Sequence, residues 1–81
     1  MQGAGSILTV SAAVRRLRKK RGWSQEELGA RAGLHRTYVG AIERAEENLT
    51  LATLDKLAAA LEVRPIDLLR SRESRRHAPD N

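Results

Sequence analysis

Histidine, cysteine, serine and the carboxylates could supply catalytic or metal-binding chemistry here, but their spacing does not support either. His35 and His77 are the only histidines, and the sequence contains no cysteine. No serine stands in a nucleophile motif, and no paired histidines or carboxylates have the spacing of a metal site. We therefore predict that the protein is not an enzyme and needs no cofactor and no metal ion.

Lysine and arginine are the most abundant reactive side chains. Lys and Arg total 15 against 10 Asp and Glu, which gives a formal net charge of +5 at pH 7. Five cations form a run near the amino end: Arg15, Arg16, Lys19, Lys20 and Arg21. The charge favours a polyanionic partner such as nucleic acid, although a cationic surface without a partner explains it equally well. The run is accordingly either a phosphate-facing edge or a solvated surface.

The length of 81 residues allows one domain with a single modest core. Without cysteine, packing or subunit association must stabilise the fold, which favours an oligomer. Trp23 and Tyr38 are the only aromatic residues, so we expect an aliphatic core and an all-α fold. No apolar run reaches the roughly 20 residues needed to span a bilayer, and no signal-peptide pattern begins the chain. These features predict a cytoplasmic protein without a membrane partner.

Apolar periodicity divides the chain into three parts. Residues 1–8 have no apolar period and are predicted to be a flexible lead. Residues 9–70 contain the helical patterns. Residues 71–81 are too polar to repay the entropy of ordering and are predicted to be a disordered basic tail.

The strongest local signals delimit two short helices in the middle of the chain. Ser24 is a good N-cap, and Glu27 three residues later predicts a capping box with it. The helix that follows, over about 25–32, ends at Gly33. A second short helix is predicted over about 36–44. Two short helices joined by a tight turn that contains glycine are typical of a helix-turn-helix, which presents its second helix outward.

Further helices are predicted on both sides of this pair. The first runs from about Thr9 and stops at Gly22. After the N-cap Thr50, leucine and alanine recur at intervals of three and four, which predicts a helix over about 51–61. Pro65 suits the first turn of a fifth helix, which is so short that it must dock on the others.

Residues 23–50, WSQEELGARAGLHRTYVGAIERAEENLT, resemble the helix-turn-helix of the Cro/CI-type (XRE) family of phage repressors and bacterial regulators. The resemblance extends over about residues 10–69, and LHRTYVGAIER followed by NLT most resembles the controller proteins of restriction-modification systems. It implies a five-helix, lambda-repressor-like domain. It also implies a homodimer that binds a palindromic operator in double-stranded DNA and regulates transcription, including that of its own gene.

The resemblance implies roles for individual side chains as well. Four residues would read bases in the major groove: Arg36, Thr37, Gly40 and Ala41. Four would bind the DNA backbone: Gln25, Tyr38, Arg44 and Asn48. Only the arginine and the threonine of the first set have hydrogen-bonding side chains, so they would carry most of the sequence reading. For Tyr38, half-buried packing is an equal alternative.

Arg18 and Glu43 match a partly buried ion pair that joins the first and third helices in related repressors, and we expect them to be mainly structural. The loop after the third helix departs from the family pattern. Ala45 stands where relatives usually have glycine, and Glu47 replaces a residue that is often basic. Because Glu46 and Glu47 would repel phosphates, either the duplex is held further from this loop than in typical controllers or the specificity differs from theirs.

The carboxy-terminal helix offers a dimer interface. We expect the two-fold axis at four apolar residues that one small domain cannot all bury: Val63, Ile66, Leu68 and Leu69. The alternative is that they complete the core of one chain. A protein-binding role, as an antitoxin or adaptor of the same fold, is the other function that the sequence leaves open.

Overall fold

The computed structural model describes residues 2–46 and 49–70. Five helices follow one another in chain order: α1 (Gln2–Lys20), α2 (Gln25–Ala32), α3 (Arg36–Glu43), α4 (Leu51–Leu61) and α5 (Pro65–Leu69). No β-strand occurs in these two ranges, so the predicted all-α, five-helix architecture is confirmed. Within them, no helix is long and apolar enough to cross a bilayer. The predicted tail over 71–81, together with Glu47 and Asn48, lies outside the described residues.

The amino-terminal boundary differs from the prediction. The sequence predicts a flexible lead over 1–8 and a first helix from about Thr9, whereas α1 begins at Gln2. Nucleation is the unfavourable step of helix formation, and added turns need little further free energy. A helix that is anchored by the buried Val10 can therefore extend towards the amino end even through weak helix formers.

The ends of α2 are set by local sequence signals. The Ser24 hydroxyl accepts a hydrogen bond from the backbone N–H of Glu27 at 3.0 Å, as expected for an N-cap. The Glu27 carboxylate accepts from Arg31 Nε at 2.7 Å instead of reaching back to Ser24, so the capping box is only half formed. Gly33 ends the helix with φ +72°, a left-handed conformation that glycine adopts without strain.

The end of α3 uses the same left-handed turn without a glycine. Ala45 has φ +58°. The backbone N–H of Glu46 donates to the carbonyl oxygen of Ala41 at 2.8 Å, and that of Ala45 donates to Ile42 at 2.9 Å. These bonds satisfy carbonyl groups at the end of the helix, as is usual for such turns. For a residue with a Cβ atom, however, the left-handed conformation is unfavourable by about 1 kcal/mol.

One aliphatic core connects all five helices. Its buried members are Val10, Ala13, Val14, Leu28, Ala32, Val39, Ile42, Leu54, Leu57, Ala58, Leu61 and Leu68. The composition is the one predicted from the scarcity of aromatic residues. The buried hydroxyl of Ser11 also donates to the carbonyl oxygen of Ile42 at 2.5 Å, which ties α1 directly to α3.

The turn between α2 and α3 lies unusually close to α2. A Cβ atom on Gly29 would stand 2.5 Å from the carbonyl oxygen of Leu34, a distance that real Cβ atoms essentially never show. Only glycine therefore allows this close approach without a shift of the backbone. Gly29 thus sets the position from which α3 begins.

Candidate nucleic-acid interface

The first turn of α3 is capped by a histidine. His35 has an extended backbone, and its Nδ1 accepts a hydrogen bond from the backbone N–H of Thr37 at 3.0 Å. Histidine is a poor N-cap by general preference, yet its ring does here what a serine or aspartate side chain usually does. The cap begins the helix at Arg36, and the side chains of Arg36 and Thr37 are both exposed. The side chains of these two residues therefore lie on the outer side of the helix, exposed to solvent.

Arg36 has a weak partner on the neighbouring helix. Its Nη1 lies 3.6 Å from Oε1 of Glu26 on α2, and the two side chains are 64% and 75% exposed. Ion pairs this exposed are held loosely because water competes for both charges. The Arg36 guanidinium can therefore exchange this carboxylate for another acceptor. Sequence reasoning missed Glu26, since no local spacing relates it to a residue beyond the turn.

The second turn of α3 presents less surface than expected. Ala41 is half-buried, and Gly40 is buried. A Cβ atom on Gly40 would lie 3.1 Å from Nη1 of Arg44 and 3.2 Å from Oε1 of Gln25, so these two side chains cover it. The structure thus gives Gly40 a packing position instead of the predicted base contact. Its lack of a side chain lets Gln25 and Arg44 lie across the helix.

Arg18 and Glu43 form the expected ion pair between α1 and α3. Arg18 Nε and Nη2 donate to the two carboxylate oxygens of Glu43 at 2.6 and 2.9 Å, and Nη1 donates to the carbonyl oxygen of Trp23 at 2.8 Å. Gln25 Nε2 adds a hydrogen bond to Glu43 Oε1 at 3.1 Å. The side chains of Arg18 and Glu43 are only 11% and 3% exposed. This network fixes α3 relative to α1 and the start of α2.

The same contacts keep Glu43 ionised. Burial by itself would raise the pKa of Glu43, but the hydrogen bonds from Arg18 and Gln25 and the charge of Arg18 oppose it. The opposing effects prevail, and the pKa of Glu43 lies below its ordinary value of 4.5. The positive charge of Arg15 also lowers this pKa, which places one cation of the basic run near the end of α3.

The four residues predicted to bind the DNA backbone have different surroundings. Gln25 is half-buried and takes part in the Glu43 network. Tyr38 packs partly against the core, in line with its packing alternative, and keeps part of its surface accessible. The Arg44 side chain is 57% exposed and its Nε lies 3.1 Å from Oε1 of Glu46. Asn48 lies outside the described residues.

The predicted dimer residues separate into two groups. Leu68 is 0% exposed within a single chain, so it has no surface to offer a second copy and its assignment to the interface is wrong. Because α5 is amphipathic and short, Leu68 turns into the core while Ile66 and Leu69 remain 46% and 44% exposed. These two residues are three positions apart and share one side of the helix. Val63 is half-buried.

A family model described as helix-turn-helix (HTH_3) matches residues 14–68. A Neisseria hypothetical transcription factor from Neisseria meningitidis serogroup B is 50% identical over 56 residues, which are 69% of this chain and 53% of that protein. The crystal structure of the hypothetical transcription factor NHTF from Neisseria matches this fold with a TM-score of 0.87 and 39% identity. That match covers 95% of this chain and 86% of the other.

A control protein and a restriction-modification controller protein are also similar. Control protein C.SmaI from Serratia marcescens is 54% identical over 48 residues, which are 59% of this chain and 57% of that protein. The chain thus spans little more than half the length of these first curated relatives. The controller protein C.Esp1396I, solved as a tetramer in complex with its natural 35 base-pair operator, matches with a TM-score of 0.71 and 34% identity over 76% of this chain and 82% of that chain. Because the family model matches residues 14–68, this protein belongs to the helix-turn-helix (HTH_3) family.

Proposed function

We propose that this protein is a sequence-specific regulator of transcription that binds a palindromic operator in double-stranded DNA as a homodimer. The observation that carries the proposal is the exposed first turn of α3, with Arg36 and Thr37 outward and the other side of the helix buried. Similarity to C.SmaI and to operator-bound C.Esp1396I supports an autoregulatory controller of a restriction-modification system. The proposed activity is non-catalytic and belongs in the cytoplasm, where such operators lie.

Arg36 is the main base-reading residue in this proposal. Its guanidinium can donate two parallel hydrogen bonds to O6 and N7 of a guanine in the major groove, a geometry that few side chains match. Thr37 can donate to or accept from a neighbouring base, or contact a thymine methyl group. Ala41, one turn later and half-buried, can contribute only a methyl contact. Sequence reading is therefore concentrated in one turn of α3.

Gln25, Tyr38 and Arg44 hold the duplex in register. Gln25 is the first residue of α2, where free backbone N–H groups and the helix dipole attract a phosphate. Arg44 follows α3 and can reach the adjacent backbone with its exposed guanidinium. We retain Asn48 as a proposed contact from the loop. Contacts of this kind position the protein and carry no sequence information.

Ile66 and Leu69, together with Val63, form the proposed dimer interface. The exposed apolar surface of Ile66 and Leu69 lies on one side of α5, and a second copy would remove it from water. A two-fold axis makes this patch face its own equivalent. Dimers of this class present two recognition helices about 34 Å apart, one turn of B-form DNA. The axis therefore accounts for a palindromic site.

Selection of bound duplexes from a random pool tests the proposal. We expect a palindrome to be enriched, with a guanine opposite Arg36. On that operator, Arg36→Ala should cost about 1–3 kcal/mol and relax the preference at one base pair. Gln25→Ala should weaken operator and random duplexes more evenly, because it removes a backbone contact. Equal losses on both duplexes for Arg36→Ala, or no enriched sequence, would contradict the proposal.

A further inference from the structure

Both exposed arginines at the ends of α3 have a carboxylate partner within the chain. Arg36 pairs with Glu26 at 3.6 Å, and Arg44 pairs with Glu46 at 3.1 Å. All four side chains are more than half exposed, the least exposed at 57%. Pairs in this setting add little to folding stability. Their main effect is on charge, because each pair presents a neutral group where an arginine alone would be cationic.

Neutral pairs matter because DNA outside the operator offers an arginine mainly phosphates. A free cation that binds a phosphate releases counterions from the duplex, and this release drives non-specific binding. An arginine that already has a carboxylate partner releases fewer counterions when it binds a phosphate. A guanine in the operator offers two acceptors in the fork geometry of the guanidinium, and it can replace the carboxylate. The consequence of pairing therefore depends on what the arginine binds.

We propose that Glu26 is a specificity-determining residue, which holds Arg36 as an internal counter-charge and weakens its attachment to the phosphates of non-operator DNA. This inference rests on the DNA-binding function proposed above. On the operator, the Arg36 guanidinium leaves the Glu26 carboxylate and binds the base. The carboxylate therefore lowers the affinity for the operator less than it lowers the affinity for non-operator DNA. Glu46 has a different effect, because its partner Arg44 binds phosphate on either duplex.

Glu27 provides a matched control next to Glu26 on α2. Its carboxylate accepts from Arg31 at 2.7 Å within the same helix. The guanidinium carbon of Arg31 in turn lies 4.2 Å from the centroid of the Trp23 ring. Glu27→Gln therefore changes the net charge as much as Glu26→Gln does, without releasing an arginine of α3. Comparing the two separates the local pairing from the overall charge.

The experiment compares Glu26→Gln, Glu46→Gln, Glu27→Gln and the unaltered protein. Each is titrated with the selected operator and with a scrambled duplex of the same length, between 50 and 200 mM salt, by fluorescence anisotropy. Glu26→Gln should steepen the salt dependence on the scrambled duplex by about 0.9 in log–log slope and that on the operator by much less. When the salt concentration is lowered from 200 to 50 mM, the ratio of operator affinity to scrambled-duplex affinity should therefore fall about threefold more for Glu26→Gln than for the unaltered protein.

The two comparison variants should behave differently. Glu46→Gln should steepen both slopes alike, and Glu27→Gln should leave the affinity ratio unchanged. Glu26→Gln should also lose its effect on the ratio when it is combined with Arg36→Ala. The inference is overturned if Glu26→Gln strengthens both duplexes by the same factor, or if Glu27→Gln lowers the ratio as much. If the unaltered protein enriches no operator in the selection, the proposed function is overturned instead. The change in salt dependence of Glu26→Gln on the scrambled duplex then still tests the pairing of Glu26 with Arg36.

Discussion

Removing the Glu43 carboxylate tests how firmly α3 is held. Glu43→Ala deletes both contacts with Arg18 and the one from Gln25, and it leaves the Arg18 guanidinium, 11% exposed, without its anion. Breaking such a pair from one side costs about 3–5 kcal/mol when it is buried, and we expect about 3 kcal/mol because Arg18 keeps some water contact. For a domain of this size, that loss corresponds to a decrease in Tm of about 12–24 °C.

Urea and thermal unfolding followed by circular dichroism measure this loss. Glu27→Ala is the control, because its pair with Arg31 is about half exposed and should contribute less than about 1 kcal/mol. The double variant Arg18→Met with Glu43→Leu removes both charges and should recover most of the stability that Glu43→Ala loses. The reasoning is refuted if Glu43→Ala destabilises the fold no more than Glu27→Ala.

The contribution of Glu43 to folding stability should depend on pH in a defined direction. The folded-state pKa of Glu43 lies below its ordinary value of 4.5, so ionised Glu43 stabilises the fold at pH values above 4.5. This contribution is lost as the pH falls through the folded-state pKa. The difference in unfolding free energy between the unaltered protein and Glu43→Gln should therefore narrow below pH 4.5. If this difference in unfolding free energy stays constant down to the acid transition, the charge of Glu43 does not contribute to the stability of the fold.

Two further predictions concern the end of α3 and the dimer interface. Ala45→Gly should raise the free energy of unfolding by about 0.5–1 kcal/mol, because φ +58° is strained for alanine, and an unchanged urea midpoint would contradict this. Leu69→Glu should give a folded monomer with weakened operator binding, since the residue is 44% exposed, and a persistent dimer in sedimentation would exclude the proposed interface. Leu68→Ala should instead lose about 2–5 kcal/mol of stability in each chain, as truncation in a core does.

Features encoded by adjacent residues could be predicted from the sequence. Ser24 and Thr50 cap their helices, and Gly33 ends α2, because each acts on backbone groups only a few positions away. The exposure of Arg36 followed from the same local signals. The Arg18–Glu43 pair came from resemblance, since nothing in the sequence itself relates residues in α1 and α3.

The predictions that failed, and the Glu26 contact that the sequence did not predict, depend on how the helices pack. A helix of five residues has too little periodicity to show that Leu68 turns inward while Leu69 stays exposed. Gly40 is buried because two long side chains from other positions lie over it. Glu26 meets Arg36 only once the turn has brought α2 and α3 together. Each of these facts requires the tertiary packing, which sequence spacing alone does not contain.

The close approach at Gly29 has a consequence for the spacing of the proposed DNA contacts. Any larger residue there must push the Leu34 carbonyl oxygen away, and α3 with it, because the contact is with backbone and not with a flexible side chain. In a symmetric dimer both copies would move, so the displacement would enter twice into the separation of the two recognition helices. The length of operator that such a dimer can span therefore depends on the absence of a side chain at Gly29 in each copy, a position outside the proposed DNA contacts.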